Sequence, residues 1–570
     1  MSCPDKKNSR IAFSVAVIAV LGFAMAQTET FRLPLEIQVG LAGTFGEIRG
    51  SHFHSGIDIR TQGNEGLPVY AANRGYVSRI KISRSGYGKA LYITHPDGYT
   101  TVYAHLQKFN DQIEKQIKAI QYARETFEID EYFTEKQMPV ERGELIAFSG
   151  NSGRSTAPHL HFEIRDSRTE HPLNPLAFLQ TENDKQPPVM QTLFIYDMTE
   201  SKGRFFPIRQ KIIKHADGKY ALAQDTLKVA FQKAALGLYA FDGNGTARNG
   251  VYTLTASTNR QVFYRLAMDR LSFSENRYAL AHSDYALAQK ENITVHRLHR
   301  LPGDYFSFYD RILQNGILTL TAEPTLVTIA VSDFTGNESR LSFFLQLDIN
   351  GLSADFSALE YDTIFDFRRD NIFQNDEVRV ELPKNTCYDW IYFNYAKAEP
   401  ASGHNIYSSV HRIHTELEPA HQYFTLYIKP LGIPDRLREK ALIVRETKDS
   451  LPEPLETTWD GSFLKARTRD FGKYYVIADT IPPLIQLIRV MQDSPAAPGF
   501  VQIRIKDEHS GIKSYHPVAD GKWILMEYDE KNDMLTYFYD ERISPGPHQL
   551  FLKVTDRVGN TATFQTSFIR

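Results

Sequence analysis

The sequence predicts a mainly β chain: a glycine-rich β-sheet domain interrupted by one helical insertion, followed by about three β-sandwich units. Three observations carry this prediction. Residues 31–180 are dense in glycine and in short β-like runs, such as Leu67-Pro68-Val69-Tyr70-Ala71 and Ala90-Leu91-Tyr92-Ile93. Turn signals separate those runs at Gly86-Tyr87-Gly88, Pro96-Asp97-Gly98 and Gly150-Asn151-Ser152-Gly153. Beyond residue 180 a strand–turn–strand signature recurs, flanked by further short strands. The length of 570 residues suits three to five domains at roughly 100–200 residues each.

In chain order, residues 1–26 carry Lys6, Lys7 and Arg10, then an apolar run from Ile11 to Phe23, then Ala24-Met25-Ala26. A charged start, a short apolar stretch and an A-x-A step predict a secretory signal peptide. The run falls short of the ~20 apolar residues that span a bilayer, so no transmembrane span is expected after cleavage. Cleavage removes Lys6, Lys7, Arg10 and Asp5 and moves the net charge from −3 to −5. It also removes Cys3, leaving Cys387, so no internal disulfide is expected in the exported chain. Cys387 lacks a neighbouring base motif and is read as a core thiol.

The first β domain follows over 31–180. Within it Leu106, Phe109, Ile113, Ile117 and Ile120 recur at three- and four-residue steps, with Asp111–Lys115 and Glu114–Lys118 pairs. This predicts an amphipathic helix, with a second helix over Phe127–Phe133, so that a helical insertion occupies about 107–137. It enters between His105 and the strand leading to His159, as a lid over a groove or a decoration covering a sheet edge. Thr181–Pro188 is polar, ends in Pro187-Pro188 and reads as a linker.

The repeat lies beyond the linker. Asp184-Lys185-Gln186-Pro187-Pro188-Val189 parallels Asp479-Thr480-Ile481-Pro482-Pro483-Leu484. The closing Val331-Ser332-Asp333-Phe334-Thr335-Gly336-Asn337 parallels Val554-Thr555-Asp556-Arg557-Val558-Gly559-Asn560. The predicted units are 187–346, 350–478 and 480–570, similar to the immunoglobulin-like sandwiches of bacterial surface proteins. The chain is 42% hydrophobic, 23% charged and 12% aromatic, which excludes wholesale disorder. Its net charge of −3 provides no basic field, so nucleic acid is not an expected partner.

Chemistry concentrates in the first domain. His54-Ser55-Gly56-Ile57-Asp58 offers an imidazole and a carboxylate four residues apart. A fully extended strand would separate them by ~13 Å, so Gly56 is expected to bend the backbone. In Pro158-His159-Leu160-His161-Phe162-Glu163, period-2 geometry places His159, His161 and Glu163 on one face. Tyr103-Ala104-His105-Leu106 sets another histidine at a strand end. His52 is off the His-x-Gly-x-Asp spacing and is read as peripheral. His95 is read as a surface turn residue, and His404, His411, His414 and His421 as solvated strand and loop positions.

His54-x-Gly-x-Asp58, Tyr103-x-His105-Leu106 and His159-Leu160-His161-Phe162-Glu163 together resemble the lysostaphin/LytM-type zinc metallopeptidases. Leu67–Ala72, Gly86-Tyr87-Gly88, Gly143-Glu144-Leu145-Ile146-Ala147 and Asn174-Pro175-Leu176 agree with that resemblance over about 40–180. Ala157 departs from it, standing where the family usually has glycine. The resemblance implies one zinc ion held by His54, Asp58 and His161, with His105 and His159 flanking a bound water. Three protein ligands leave a fourth position for water or substrate, which is a catalytic arrangement. No H-E-x-x-H is present, so no helix glutamate is available as base, and a histidine whose pKa sits near the working pH is expected to take that role. His105 and His159 are expected to share proton transfer and oxyanion stabilisation, with Glu163 orienting an imidazole.

The function so implied is an exported zinc endopeptidase that hydrolyses peptide bonds in peptidoglycan cross-links or stem peptides. It would work in the periplasm or cell envelope, or be secreted. Peptidoglycan is the expected partner, with cell-envelope proteins as further partners for the β units. Two other classes fit the same chain: an exported metalloprotease acting on proteins, and a non-catalytic regulator of cell-wall hydrolases. Regulators of that type lack ligand positions that this sequence keeps.

Overall fold

The computed structural model describes residues 31–38, 40–180, 184–199, 205–244, 247–351, 360–399, 405–449, 451–494 and 499–570. The 1–26 segment with Cys3, part of the 181–188 linker, and His404 lie outside them. The chain is mostly β. No helix among the described residues is long and apolar enough to cross a membrane.

The first domain is built on one antiparallel sheet. Its main strands are β1 (Leu41–Gly43), β2 (Ile57–Arg60), β3 (Gly75–Ile82), β4 (Lys89–Thr94), β5 (Tyr99–Leu106), β6 (Ile129–Tyr132) and β7 (His159–Asp166). They lie in the order β1-β2-β7-β5-β4-β3-β6, so β2, β7 and β5 are adjacent at the side carrying the histidines. Period-2 alternation splits these strands between two faces. Leu91, Ile93, Tyr103, Leu160, Phe162 and Ile164 pack into the main core. The intervening Ala90, Tyr92, Val102 and Ala104 form a second buried patch on the opposite face, which is also the face of His161 and Glu163.

The insertion contains one helix, α1 (Asp111–Arg124). Asn110 caps it, accepting the Ile113 amide at 2.9 Å, and Ile113 and Ile117 face the core. Leu106 instead ends β5, and Phe109 lies in a two-residue strand against Leu145–Phe148. The second helix expected over Phe127–Phe133 does not form. Ile129–Tyr132 is strand β6, antiparallel to β3 with Ile129 opposite Ile82 and Tyr132 opposite Arg79. An isolated helix that short is unfavourable, whereas β3 offers an open ladder and Arg79, which grips Asp130 through two 2.7 Å bonds. The insertion thus covers the sheet edge remote from β2 and β7.

The later sheets fall in three stretches. Thirteen strands between Val189 and Leu347 form one extended sheet system. Residues 363–478 hold two five-stranded sheets and a two-stranded pair, and residues 484–569 hold two four-stranded sheets. The first domain is gripped from two sides. Phe45 and Phe53 enter the core of the Val189–Leu347 strands. The 484–569 sheets share one contiguous hydrophobic cluster with the first domain. At that seam the Tyr122 ring of α1 meets Trp523 edge-on at 5.4 Å, its hydroxyl bonds Asp540, and Lys89 pairs with Glu527 at 2.8 Å.

The two faces of α1 separate energetically. Ile117→Ala, at a fully enclosed position, is expected to cost about 2–5 kcal/mol in urea unfolding. The exposed Lys115→Ala is expected to stay within about 0.5 kcal/mol of the parent.

Candidate active site

Register brings the histidines together. β7 pairs with β2 so that His161 stands directly opposite Asp58, and with β5 so that it stands opposite Ala104. The backbone bends at Gly56, as expected, and brings His54 to Asp58. The glycine also allows close approach, since a Cβ there would lie 2.3 Å from the Phe162 carbonyl oxygen. His105 adopts a left-handed φ of 59° where the β4–β5 register shifts, a bulge that turns its imidazole towards β7.

Three atoms converge. His54 Nε2 lies 3.0 Å from His161 Nδ1 and 3.2 Å from Asp58 Oδ1, and His161 Nδ1 lies 2.9 Å from Asp58 Oδ1. His54, Asp58 and His161 form a buried group able to hold a metal ion. The outer atoms fix the tautomers. His54 Nδ1 sits 2.8 Å from the Thr44 carbonyl, which only accepts, so Nδ1 carries the proton and Nε2 presents a lone pair inward. His161 Nε2 donates to Glu163 Oε1 at 2.8 Å, which leaves its Nδ1 facing inward. A carboxylate and two imidazole nitrogens at such separations call for a cation among them, a metal ion or, without one, a proton on His161 Nδ1 bonded to Asp58. The donor set and its bonded outer partners therefore fit a metal.

Charge is stacked behind this cluster. Arg49 Nη1 holds the other oxygen of Asp58 at 2.5 Å. Glu163 is fully buried and accepts from Ser55 at 2.6 Å, from Tyr87, and from Arg165 at 2.6 Å. Burial opposes ionisation of Glu163, but Arg165 and His161 hold its carboxyl well below the usual carboxylate range. Burial likewise opposes ionisation of Asp58, and its histidine neighbours reverse that and keep it well below normal. Burial alone would lower His161, yet bonds to Asp58 and Glu163 at its two nitrogens push it up to about 9. Burial lowers His54.

His105 and His159 face this group. Their ring centroids are 4.8 Å apart, and His105 lies 5.9 Å from His161. His105 Nδ1 bonds the Ser152 carbonyl at 2.9 Å, and burial with the neighbouring His161 and His159 drops its pKa to about 3. His159 Nδ1 bonds the Ala157 carbonyl at 2.8 Å, while Nε2 points at Asp58 Oδ1 from 3.4 Å without a hydrogen bond. The loop supplying these carbonyls is braced from afar: Lys531 donates to the carbonyls of Asn151 and of Ser155, the latter at 3.1 Å.

All five sequence-derived residues meet here. The sequence missed Ser55, Tyr87, Arg49 and Arg165. Arg165 had a signal, since it continues the His159, His161, Glu163 face by one more step of two. Three histidine readings are corrected. His95 is buried, bonded to the Arg74 carbonyl and to Thr101 Oγ1, each at 2.8 Å, because its turn folds inward. His411 and His414 are buried as well, one bonding the Tyr395 hydroxyl at 3.0 Å and the other stacking on Phe393. His52 is exposed, and Cys387 is buried in a hydrophobic core.

With this geometry in place, the comparisons with known proteins align. The profile of peptidase family M23 matches residues 52–123 and 122–175. The chain carries a peptidase family M23 domain. That domain contains all five residues. Over 124 residues the chain is 35% identical to the DD-carboxypeptidase/endopeptidase Mpg of Neisseria meningitidis, covering 22% of each chain. It is 34% identical over 112 residues to the peptidoglycan DD-endopeptidase ShyB of Vibrio cholerae, covering 20% of each. The solved catalytic domain of lysostaphin from Staphylococcus simulans is similar at 24% identity and a TM-score of 0.19, covering 25% of this chain and 91% of that one. The chain thus spans about a fifth of the length of the curated relatives it matches. A second profile, the Zu5-like domain, matches residues 362–479.

Two outcomes follow from the charge arrangement of the M23 domain. Glu163→Gln leaves His161 without its orienting anion and is expected to weaken metal affinity about 10–100-fold in competition with a chromogenic chelator. In the chelated chain the raised His161 contributes stability that is complete below the ordinary histidine value of about 6.5. It is lost as pH rises through about 9. The urea midpoint of chelated protein should therefore fall across that window, and His161→Asn should abolish the fall.

Proposed function

We propose that this chain is an exported zinc-dependent endopeptidase hydrolysing peptide bonds in peptidoglycan cross-links or stem peptides. The observation that carries the proposal is the convergence of His54 Nε2, Asp58 Oδ1 and His161 Nδ1 within hydrogen-bonding separations, faced by two further imidazoles. The M23 match supports the peptidase reading. The names of the relatives, a DD-endopeptidase and a glycyl-glycine endopeptidase among them, support cell wall as substrate.

In this proposal His54, Asp58 and His161 are the zinc ligands. Zinc held by these residues would supply Lewis-acid chemistry, lowering the pKa of a bound water towards ~7 and polarising the scissile carbonyl. His105, kept neutral by burial, presents Nε2 as a proton acceptor, its Nδ1 proton being pinned on the Ser152 carbonyl. His159 presents the second free Nε2, beside Asp58, and shares proton transfer and oxyanion stabilisation with His105. Glu163 fixes the ring of His161, and Arg165 keeps Glu163 ionised.

Export by the 1–26 signal peptide would deliver the enzyme to the periplasm or cell envelope. The domain division 31–180, 187–346, 350–478 and 480–570, with immunoglobulin-like sandwiches after the peptidase, makes the β units spacers or docking modules.

Incubating the mature chain with purified sacculi and with an unfolded protein, with and without chelator, tests the proposal. Soluble muropeptide fragments are expected by mass spectrometry, lost with chelator and in His161→Ala. No release by zinc-loaded protein contradicts the proposal. Cleavage of the protein substrate alone would instead make it a protein-directed protease.

A further inference from the structure

The internal repeat places a second kind of cluster outside the histidine site. Asp184, Asp242 and Asp333 form one group of carboxylates whose ligand atoms all lie within 4.8 Å of one another, and Asp479, Asp507 and Asp556 form another. The groups occupy the same places in their units. Asp184 and Asp479 precede the matching Pro-Pro steps, and Asp333 and Asp556 open the matching Gly-Asn turns. The third member was hidden from the sequence. The strand Val189–Asp197 pairs with Lys233–Asn244 so that Val189 stands opposite Phe241. The strand Leu484–Met491 pairs with Phe500–Lys506 so that Leu484 stands opposite Lys506. The next residues are Asp242 and Asp507. In the first unit three more strands lie between the paired partners, whereas in the last unit the partners are consecutive.

The surrounding bonds repeat too. Asn337 donates through Nδ2 to the Asp184 carbonyl at 2.9 Å, and Asn560 does so to the Asp479 carbonyl at 3.0 Å. The Asn337 amide reaches Asp333 Oδ1 at 2.9 Å, and the Asn560 amide reaches Asp556 Oδ1 at 2.7 Å. What these bonds leave over points to a ligand. Asp242 is 8% exposed and Asp479 is 2% exposed, yet among the described residues Asp242 Oδ1 and Asp479 Oδ2 have no hydrogen-bond partner. Among the described residues none of the six carboxylates pairs with a lysine or arginine. Burial, with Asp333 and Asp184 alongside, pushes Asp242 up to about 7. A stranded buried carboxylate oxygen beside two more carboxylates is costly without a cation.

We propose that the chain binds two calcium ions, one at Asp184/Asp242/Asp333 and one at Asp479/Asp507/Asp556. The donors are all carboxylate oxygens with no imidazole or thiolate, which selects a hard cation, and the irregular, partly exposed setting suits calcium better than strictly octahedral magnesium. Each ion joins the residue before a unit's first strand to the turn that closes the unit. It thereby fixes how that unit leaves its predecessor. The inference is independent of the peptidase proposal.

Calorimetric titration of calcium into the chelator-treated full chain, with zinc restored beforehand, tests it. The parent should take up two ions, Asp242→Asn and Asp479→Asn one each, and the double variant none. Calcium should raise the thermal midpoint of the parent and not of the double variant. Uptake of fewer than two ions by the parent at up to ~10 mM calcium, above the range expected for extracellular modules, overturns the proposal. Uptake undiminished in the double variant does so as well.

Discussion

The structure turns on one buried side chain, His161, held by a carboxylate at each ring nitrogen. Asp58 lies 2.9 Å from Nδ1 and Glu163 lies 2.8 Å from Nε2. Neither carboxylate could stay ionised in that interior alone, and each has its own cation outward, Arg49 for Asp58 and Arg165 for Glu163. The result is an alternating row of charge that runs from Arg49 to Asp58 on β2 and on through His161, Glu163 and Arg165 on β7. Its geometry is set by backbone register, because Asp58 faces His161 across β2 and β7. A one-residue slip would send the whole His159, His161, Glu163 set into the apolar core.

The two facing imidazoles are positioned differently. His105 depends on a bulge and on the Ser152 carbonyl, and His159 on the Ala157 carbonyl. Those carbonyls belong to a loop whose shape is fixed by close glycine packing and by a lysine from the far end of the chain. A Cβ on Gly153 would lie 2.3 Å from the Gly88 amide nitrogen, and Lys531 ties the carbonyls of Asn151 and Ser155. The C-terminal sheets therefore do more than extend the molecule: they buttress the loop that aims both imidazoles. Lys89, buried against Glu527 at the same seam, reinforces that contact.

Much of this was legible in the sequence, for physical reasons. The strand period alone put His159, His161 and Glu163 on one side, and the repeat paired Asp184 with Asp479 and Asp333 with Asp556. The failures share a cause. The stretch Phe127–Phe133 looked helical in isolation and became a strand because β3 had an edge to offer and Arg79 to meet Asp130. His95, His411 and His414 looked solvated because their partners, the Arg74 carbonyl, the Tyr395 hydroxyl and the Phe393 ring, come from other strands or turns. Asp242 and Asp507 carry no local signature at all; only pairing with the first strand of each unit makes them equivalent. Contacts between distant segments, not local pattern, account for what the sequence withheld.

The proposed metal site makes a demand that one measurement can meet. Anomalous diffraction from crystals of the full chain, recorded on either side of the zinc absorption edge, should show a peak bounded by His54 Nε2, Asp58 Oδ1 and His161 Nδ1. Glu163 should remain bonded to the opposite nitrogen of His161. Zinc-grown crystals without a peak there, or with the ion held through His161 Nε2, would contradict the account.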